Sequence, residues 1–373
     1  MNELERLIST RIEEGGPMPF GAYMQLALYH PRLGYYGGGR ARTGWTGHFV
    51  TSPELDPGFG ALWARAIEQL WRAAGAPSRW TLVEVGPGEG GLAAGITDSL
   101  SPDLAPCLHY VLVERTVEAR TRQQARLEAS PVSVAWVESL DDLDAINGCV
   151  VAHELLDNLP VHLVQRTGDA LEELCVTSSG NDLELIALPL HGRELHDYLD
   201  RCGVQLPDGH VMEVGLAAES FVARAGDVLE RGAVIVIDYG DGASALAARP
   251  AGTLVTYSDT GAGDDPLVRP GEQDITAHVN WTAVVGALRR RGLDTHGPLP
   301  QRDVLRHLGL AELDASLRSV HDAALARGDG AGAIRALSRR GGLGTLTDPG
   351  GLGGLGVVVG LKDVPAPAFV ATR

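Results

Sequence analysis

The chain has 373 residues, a mass of 39.4 kDa and a formal net charge of -17 at pH 7, enough to bury a full core in one elaborated domain or two. Hydrophobic residues at 44% and charged residues at 21% exclude an intrinsically disordered chain. The acidic balance, with Lys362 the only lysine, argues against a grip on nucleic-acid phosphates; it serves solubility alone or suits a basic or cationic partner.

Cys107, Cys149, Cys175 and Cys202 are widely spaced and form no C-x-x-C pair, as expected of small buried thiols in a reducing compartment, without zinc or a disulfide framework. The N-terminus lacks an apolar signal core, and no apolar run approaches the roughly 18 residues a membrane span needs. These features predict a soluble cytoplasmic protein with no membrane partner.

In chain order, Leu4, Leu7, Ile8 and Ile12 recur at helical spacing over residues 3–14, and Gly15-Gly16-Pro17 ends that helix. A second helix is predicted over Phe20 to Tyr29. The loop that follows gathers Tyr29, Tyr35 and Tyr36, either as a ligand wall or as packing against the domain below. After Gly47-His48-Phe49-Val50-Thr51-Ser52-Pro53-Glu54, a helix is expected from about Pro57 to Ala74, with Ser52 or Glu54 as its cap or as ligand contacts.

From Thr81 the texture alternates. Strands are predicted at Thr81–Val85, Tyr110–Val113, Ser133–Trp136, Gly148–Ala152 and Ala233–Asp238, with helices between the first four. This is the pattern of an α/β doubly wound sheet, parallel and covered on both faces. The interval from about Leu159 to Arg231 predicts added antiparallel strands and helices at 194–201 and 216–230. Residues 241–272 read as a long loop, with helices at about 280–291, 301–308 and 311–326. The glycine run from Gly341 to Gly356 reads as a linker before a last strand at Val357–Leu361. The expected layout is a helical cap with an aromatic loop over 1–78, a Rossmann-like core over 79–158 and 232–373, and an insertion over 159–231 that shapes the substrate side.

In such a sheet, ligands bind beyond the carboxyl ends of the strands. The first strand runs into Gly86-Pro87-Gly88-Glu89-Gly90, where bare backbone can approach a ligand. Glu114 closes the second strand about two dozen residues further on, placed to accept from ribose hydroxyls. The spacing is neither the dinucleotide fingerprint nor a G-K-[ST] phosphate loop, so an adenosine-containing ligand without a pyrophosphate fits better. The fourth strand ends in His153-Glu154-Leu155-Leu156-Asp157. Its carboxylates either cap the next turn or bind a cationic group, and His153 is a candidate to move a proton near neutral pH. Around Asp274-Ile275-Thr276-Ala277-His278-Val279-Asn280, Asp274 or Thr276 are candidate caps, and His278 and Asn280 candidate pocket residues. No H-x-x-x-H pair occurs on a helix, so no metal site is expected.

Pro19-Phe20-Gly21-Ala22-Tyr23-Met24, Ala27-Leu28-Tyr29-His30-Pro31 with Gly34-Tyr35-Tyr36, Phe49 to Glu54, Glu84 to Gly90, Glu154 to Pro160 and Asp274 to Val279 resemble, in order, the motifs of the MidA-like methyltransferases. These are relatives of the mitochondrial complex I assembly protein-arginine methyltransferase. The resemblance spans most of the chain. It implies a class I methyltransferase fold, S-adenosyl-L-methionine as cofactor, and transfer to a nitrogen or oxygen nucleophile, with protein arginine as the family's acceptor.

On this reading Glu84, Gly86, Gly88, Gly90, Glu114, Thr51 and Ser52 hold the cofactor, and His153, Glu154, Asp157 and His278 are catalytic. Tyr36, His48, Glu54 and Asn280 bind substrate. His48, His153 and Asn280 stand where the family usually has aspartate, asparagine and aspartate. The acceptor therefore stays open between a protein arginine and a small molecule with His153 as base, beside a non-catalytic assembly role on the same fold. The expected partners are that acceptor and a second copy of the chain, without nucleic acid.

Overall fold

A computed structural model describes residues 2–39, 51–180 and 182–371. His48 lies outside the described residues. The chain forms two compact units. One comprises Met1–Arg42, Glu154–Ala223 and Tyr239–Arg290; the other comprises Thr43–His153, Arg224–Asp238 and Arg291–Arg373. Residues 239–290, placed with the core in the sequence layout, thus belong to the unit of the N-terminal helices and the insertion.

The second unit is built on a seven-stranded sheet of Trp80–Val85 (β1), Leu108–Val113 (β2), Val134–Val137 (β3), Ile146–His153 (β4), Leu229–Asp238 (β5), Asp294–Pro300 (β6) and Gly356–Lys362 (β7). The spatial order is β6-β7-β5-β4-β1-β2-β3. The strands from β5 to β3 pair in parallel, while β7 is antiparallel to both β5 and β6. Central strands covered on both faces must be apolar throughout, and Val234 to Ile237 and Val357 to Val359 are buried accordingly. Strand order reverses between β4 and β1, so the crevice for a ligand opens beyond Val85 and His153. Behind it, helix Gly58–Ala73 crosses helix Gly91–Thr97 at Gly60 and Gly95. A Cβ on Gly60 would sit 2.5 Å from the Gly95 Cα, so only glycine lets these backbones meet so closely.

The strand predictions hold in position, with three differences. Between β3 and β4 there is a 3₁₀ turn at Leu140–Asp142 in place of a helix. The edge strand β6 was not foreseen, because Gly297, Pro298 and Pro300 read as breakers; at a sheet edge a missing N–H costs no ladder bond. The glycine run is no linker at its start: helix Gly330–Thr345 runs through Gly341, Gly342 and Gly344.

The other unit opens with helices Glu3–Gly15 and Phe20–Tyr29. Asn2 caps the first by a capping box with Glu5. The predicted added strands form an antiparallel sheet of Met18–Pro19, Ala170–Ser179, His162–Thr167 and Val211–Val214, with Asp182–Pro189 paired to Ala170–Ser179. Leu195, Tyr198, Leu199, Met212 and Leu246 are among the residues of the core beneath it. Residues 241–272 are more ordered than a loop. They hold helix Ala243–Ala247 and strands Val255–Ser258 and Gly261–Gly263, which join Asp274–Thr276 in a small sheet. Among the described residues no helix is long and apolar enough to cross a membrane.

Candidate active site

The sheet unit carries the predicted cofactor residues. Gly86, Gly88 and Gly90 have φ of +67°, +53° and +80°, a left-handed backbone that glycine adopts without the Cβ penalty. The Gly86 N–H donates to the Val113 carbonyl at 3.2 Å, tying the turn to the end of β2. A Cβ added at Gly88 would meet nothing within 4 Å, so the turn opens onto free space. Directly after β2, Glu114 Oε1 accepts from the Thr116 N–H at 2.8 Å and from its hydroxyl at 2.9 Å, while Oε2 accepts from Gln123 Nε2 at 3.3 Å. The carboxylate is held in one orientation with acceptor capacity left. A left-handed turn facing open space and an oriented carboxylate at the neighbouring strand end fit a cofactor with a ribose and an amino-acid tail.

Glu84 is 3% exposed and accepts from the Tyr110 hydroxyl at 2.6 Å. Burial pushes its carboxyl up to about 7, against the Tyr110 hydrogen bond and the charge of Arg126. A carboxyl raised on folding contributes stability below its unfolded range, near 4.5, that is lost as pH rises through about 7. Glu84→Gln is therefore expected to raise the melting temperature of the cofactor-free chain at pH 8 and to change it little near pH 4.5. An equal gain at both pH values, measured by thermal melts, would refute charge burial as the cause.

The other predicted residues of this unit are placed differently from expectation. Thr51 precedes the short helix Ser52–Leu55 and its side chain makes no cap bond. Ser52 is fully buried and its hydroxyl accepts from Gln301 Nε2 at 3.1 Å, which turns it inward. Glu54 accepts from Arg126 at 2.8 Å and lies against Gly91. Neither caps the helix that starts at Gly58; its cap position is Pro57, and Asp56 Oδ1 accepts from the Gly58 N–H at 2.7 Å. His153, the last residue of β4, is 9% exposed with its ring 5.2 Å from that of Phe59. Burial lowers its pKa to about 3. The ring is neutral and a feeble base, which corrects the expectation of a proton carrier near neutrality.

In the other unit, Glu154 has φ +46°, a strained backbone for a residue with a Cβ. The chain then makes a 3₁₀ turn at Leu156–Asn158. Asp157 is buried, and its carbonyl accepts from the Ala277 N–H at 2.8 Å. Through this link the turn meets strand Asp274–Thr276. Asn158 Nδ2 donates to Asp274 Oδ1 at 3.0 Å and to the Ile275 carbonyl at 3.2 Å, and the Tyr36 hydroxyl donates to Asp274 Oδ2 at 3.0 Å. Tyr36 stacks on Tyr29 at 5.6 Å and meets Tyr35 edge-on at 5.1 Å. Asp274 is 2% exposed, and burial raises its carboxyl to about 7 against the bonds from Tyr36, the Ile275 N–H and Asn158. Asp157 and Asp274 both push the Tyr36 and Tyr257 hydroxyls further up, after burial. The result is a cluster of buried carboxylates and aromatic rings. Asp274 and Asn158 both stand in stretches that carry the family resemblance, but sequence reasoning gave Asp274 only a capping role and Asn158 none.

His278 and Asn280 belong to a different group. His278 Nδ1 lies 3.6 Å from Asp241, which also pairs with Arg249 at 2.5 Å, and its backbone N–H donates to the Thr253 hydroxyl. Burial and Arg249 lower its pKa, with Asp241 opposing. Asn280 is the cap of helix Trp281–Arg290, accepting from the N–H groups of Thr282 and Ala283 at 3.1 and 3.3 Å. That use of its oxygen corrects its assignment to substrate. Both residues line a cavity of about 20 Å³ with Tyr198, Glu213 and Glu219, room for about one water and not for a substrate.

A family model for S-adenosyl-L-methionine-dependent methyltransferases matches residues 62–299. Protein arginine methyltransferase NDUFAF7, mitochondrial, of Homo sapiens is 28% identical over 347 residues, covering 82% of this chain and 73% of that protein. The mitochondrial homolog from Drosophila melanogaster is 28% identical over 352 residues, covering 84% and 77%. A crystal structure from Burkholderia thailandensis with S-adenosyl-homocysteine bound superposes with a TM-score of 0.87 at 29% identity, covering 99% of this chain and 94% of that one. The expected fold, enzyme class and cofactor are borne out. The expected cytoplasmic location is not: the curated relatives are named as mitochondrial proteins.

Proposed function

The chain belongs to the S-adenosyl-L-methionine-dependent methyltransferase family, and on that premise we propose that it methylates a nitrogen of a protein arginine side chain. The observation that carries the acceptor is Asp274: a carboxylate buried with three neutral donors, Tyr36, Asn158 and the Ile275 N–H, and pushed up to about 7. A guanidinium brought to this cluster would supply the positive charge that such a carboxylate lacks. The names of the curated relatives support the same acceptor.

When bound, the cofactor supplies a methyl group activated by sulfonium charge. The Gly86–Gly90 turn holds its methionine part and Glu114 its ribose. Asp157 and Asp274 would orient the guanidinium nitrogen that takes the methyl group. The proton released from the nitrogen passes to a carboxylate, with Asp157 and Glu154 as the acceptors in this reading. A small-molecule reaction with His153 as base gains no support from a ring whose pKa is about 3.

The test is incubation with methyl-labelled cofactor and arginine-containing peptides, followed by acid hydrolysis. Label recovered as methylarginine is expected. Label confined to other residues, or none above a Gly88→Val control, overturns the assignment.

A further inference from the structure

We infer that Gln123 is a positioning residue for cofactor binding, and that helix Val117–Arg126 is the splint that sets the glycine turn against Glu114. Gln123 is fully buried although polar, and all its hydrogen-bonding groups are engaged. Its Nε2 donates to the Gly88 carbonyl at 2.8 Å and to Glu114 Oε2 at 3.3 Å, while its Oε1 accepts from Trp136 Nε1 at 2.9 Å. One amide thus joins the turn after β1, the carboxylate after β2 and a side chain of β3. The indole N–H is donor only, so it dictates which end of the amide carries the NH₂ group. That orientation sends both amide protons to the cofactor residues.

Two arginines on the same helix act on the same turn. Arg122 pairs with Glu89 through Nε, at 2.9 Å to Oε2, and Arg126 Nη1 reaches the Glu89 carbonyl at 3.4 Å and Glu54 at 2.8 Å. The backbone at Gly88 and Glu89 is therefore held from one helix. A left-handed turn rich in glycine has little of its own to fix it, and Gln123 adds to the hold that Thr116 has on Glu114. Pre-setting both before binding removes an ordering cost from the cofactor's affinity.

The experiment measures S-adenosyl-homocysteine binding by calorimetry, with thermal melting of the cofactor-free chain in parallel. Gln123→Leu, similar in volume and without polar groups, is expected to weaken binding by about tenfold or more. Combined with Glu114→Ala, the loss should be clearly smaller than the product of the two single losses, because Gln123 acts partly through Glu114. Trp136→Phe, which leaves Gln123 in place and removes the donor that holds its Oε1, should weaken binding by about two- to fivefold with little change in melting. It also keeps the inference open to refutation should Gln123→Leu fail to fold. Affinity unchanged in either single variant, or strictly multiplicative losses in the double variant, would overturn the inference. Absence of binding by the wild-type chain would overturn it together with the cofactor assignment.

Discussion

Gly88→Val is expected to abolish measurable S-adenosyl-homocysteine binding, with affinity reduced by on the order of 100-fold or more, while the chain still folds. The two halves of this expectation have separate causes. At φ +53° a β-branched residue is a backbone outlier, and the conformational penalty of roughly 1–2 kcal/mol falls on the turn alone. No clash within the protein is added, because a Cβ here meets nothing within 4 Å. The new methyl groups instead occupy the space that a cofactor must enter. Gly88→Ala separates the terms: it keeps the strain with less bulk and should lose less affinity than the valine variant. Calorimetry on both, beside thermal melts, checks the prediction, and a valine variant that binds within threefold of wild type would place the cofactor elsewhere.

Asp274→Asn is expected to lower kcat/KM for an arginine peptide by about 100-fold or more, since truncating one partner of a buried charge pair costs about 2–5 kcal/mol. Cofactor affinity should stay as in wild type. The same change should raise the stability of the cofactor-free chain above neutrality. Burial raises the Asp274 carboxyl of the folded chain from the ordinary carboxylate range to about 7, so its contribution to stability is present below about 4 and lost as pH rises through about 7. Asparagine keeps an oxygen for Asn158 Nδ2 and the Ile275 N–H, turns its NH₂ toward the Tyr36 hydroxyl oxygen, and removes the buried charge. Wild-type transfer should accordingly rise with pH as Asp274 ionises around 7, and the asparagine variant should lose that limb of the profile. A variant that is more stable at pH 8 yet fully active would leave Asp274 without a role toward substrate.

The cofactor half of the site was legible because its signals are local. An apolar strand that ends in Gly86-Pro87-Gly88-Glu89-Gly90 and a second that ends in Glu114 need only a few adjacent residues to be seen, and β1 and β2 end at Val85 and Val113 as expected. The acceptor half was legible only in part. Glu154 and Asp157 stood out as polar residues at a strand end. Asp274, however, meets its partners Asn158 and Tyr36 across 116 and 238 residues of chain, and no periodicity carries such a pairing. His153 and Asn280 were misjudged for a related reason: the same residue types serve as bases, caps or buried packing, and only the surroundings decide which.

By itself the sequence determined the parallel α/β sheet, the helix at Phe20–Tyr29, the glycine turn and the carboxylate that follows the second strand. Each rests on the backbone preference or burial pattern of a short stretch. Tertiary structure alone decided three further things: that Gln123 meets the Gly88 carbonyl, Glu114 and Trp136, that His153 is buried, and that Asp274 is a buried carboxylate among neutral donors. Desolvation and hydrogen-bond partnership are properties of a place in the fold, and residues far apart in sequence create that place together.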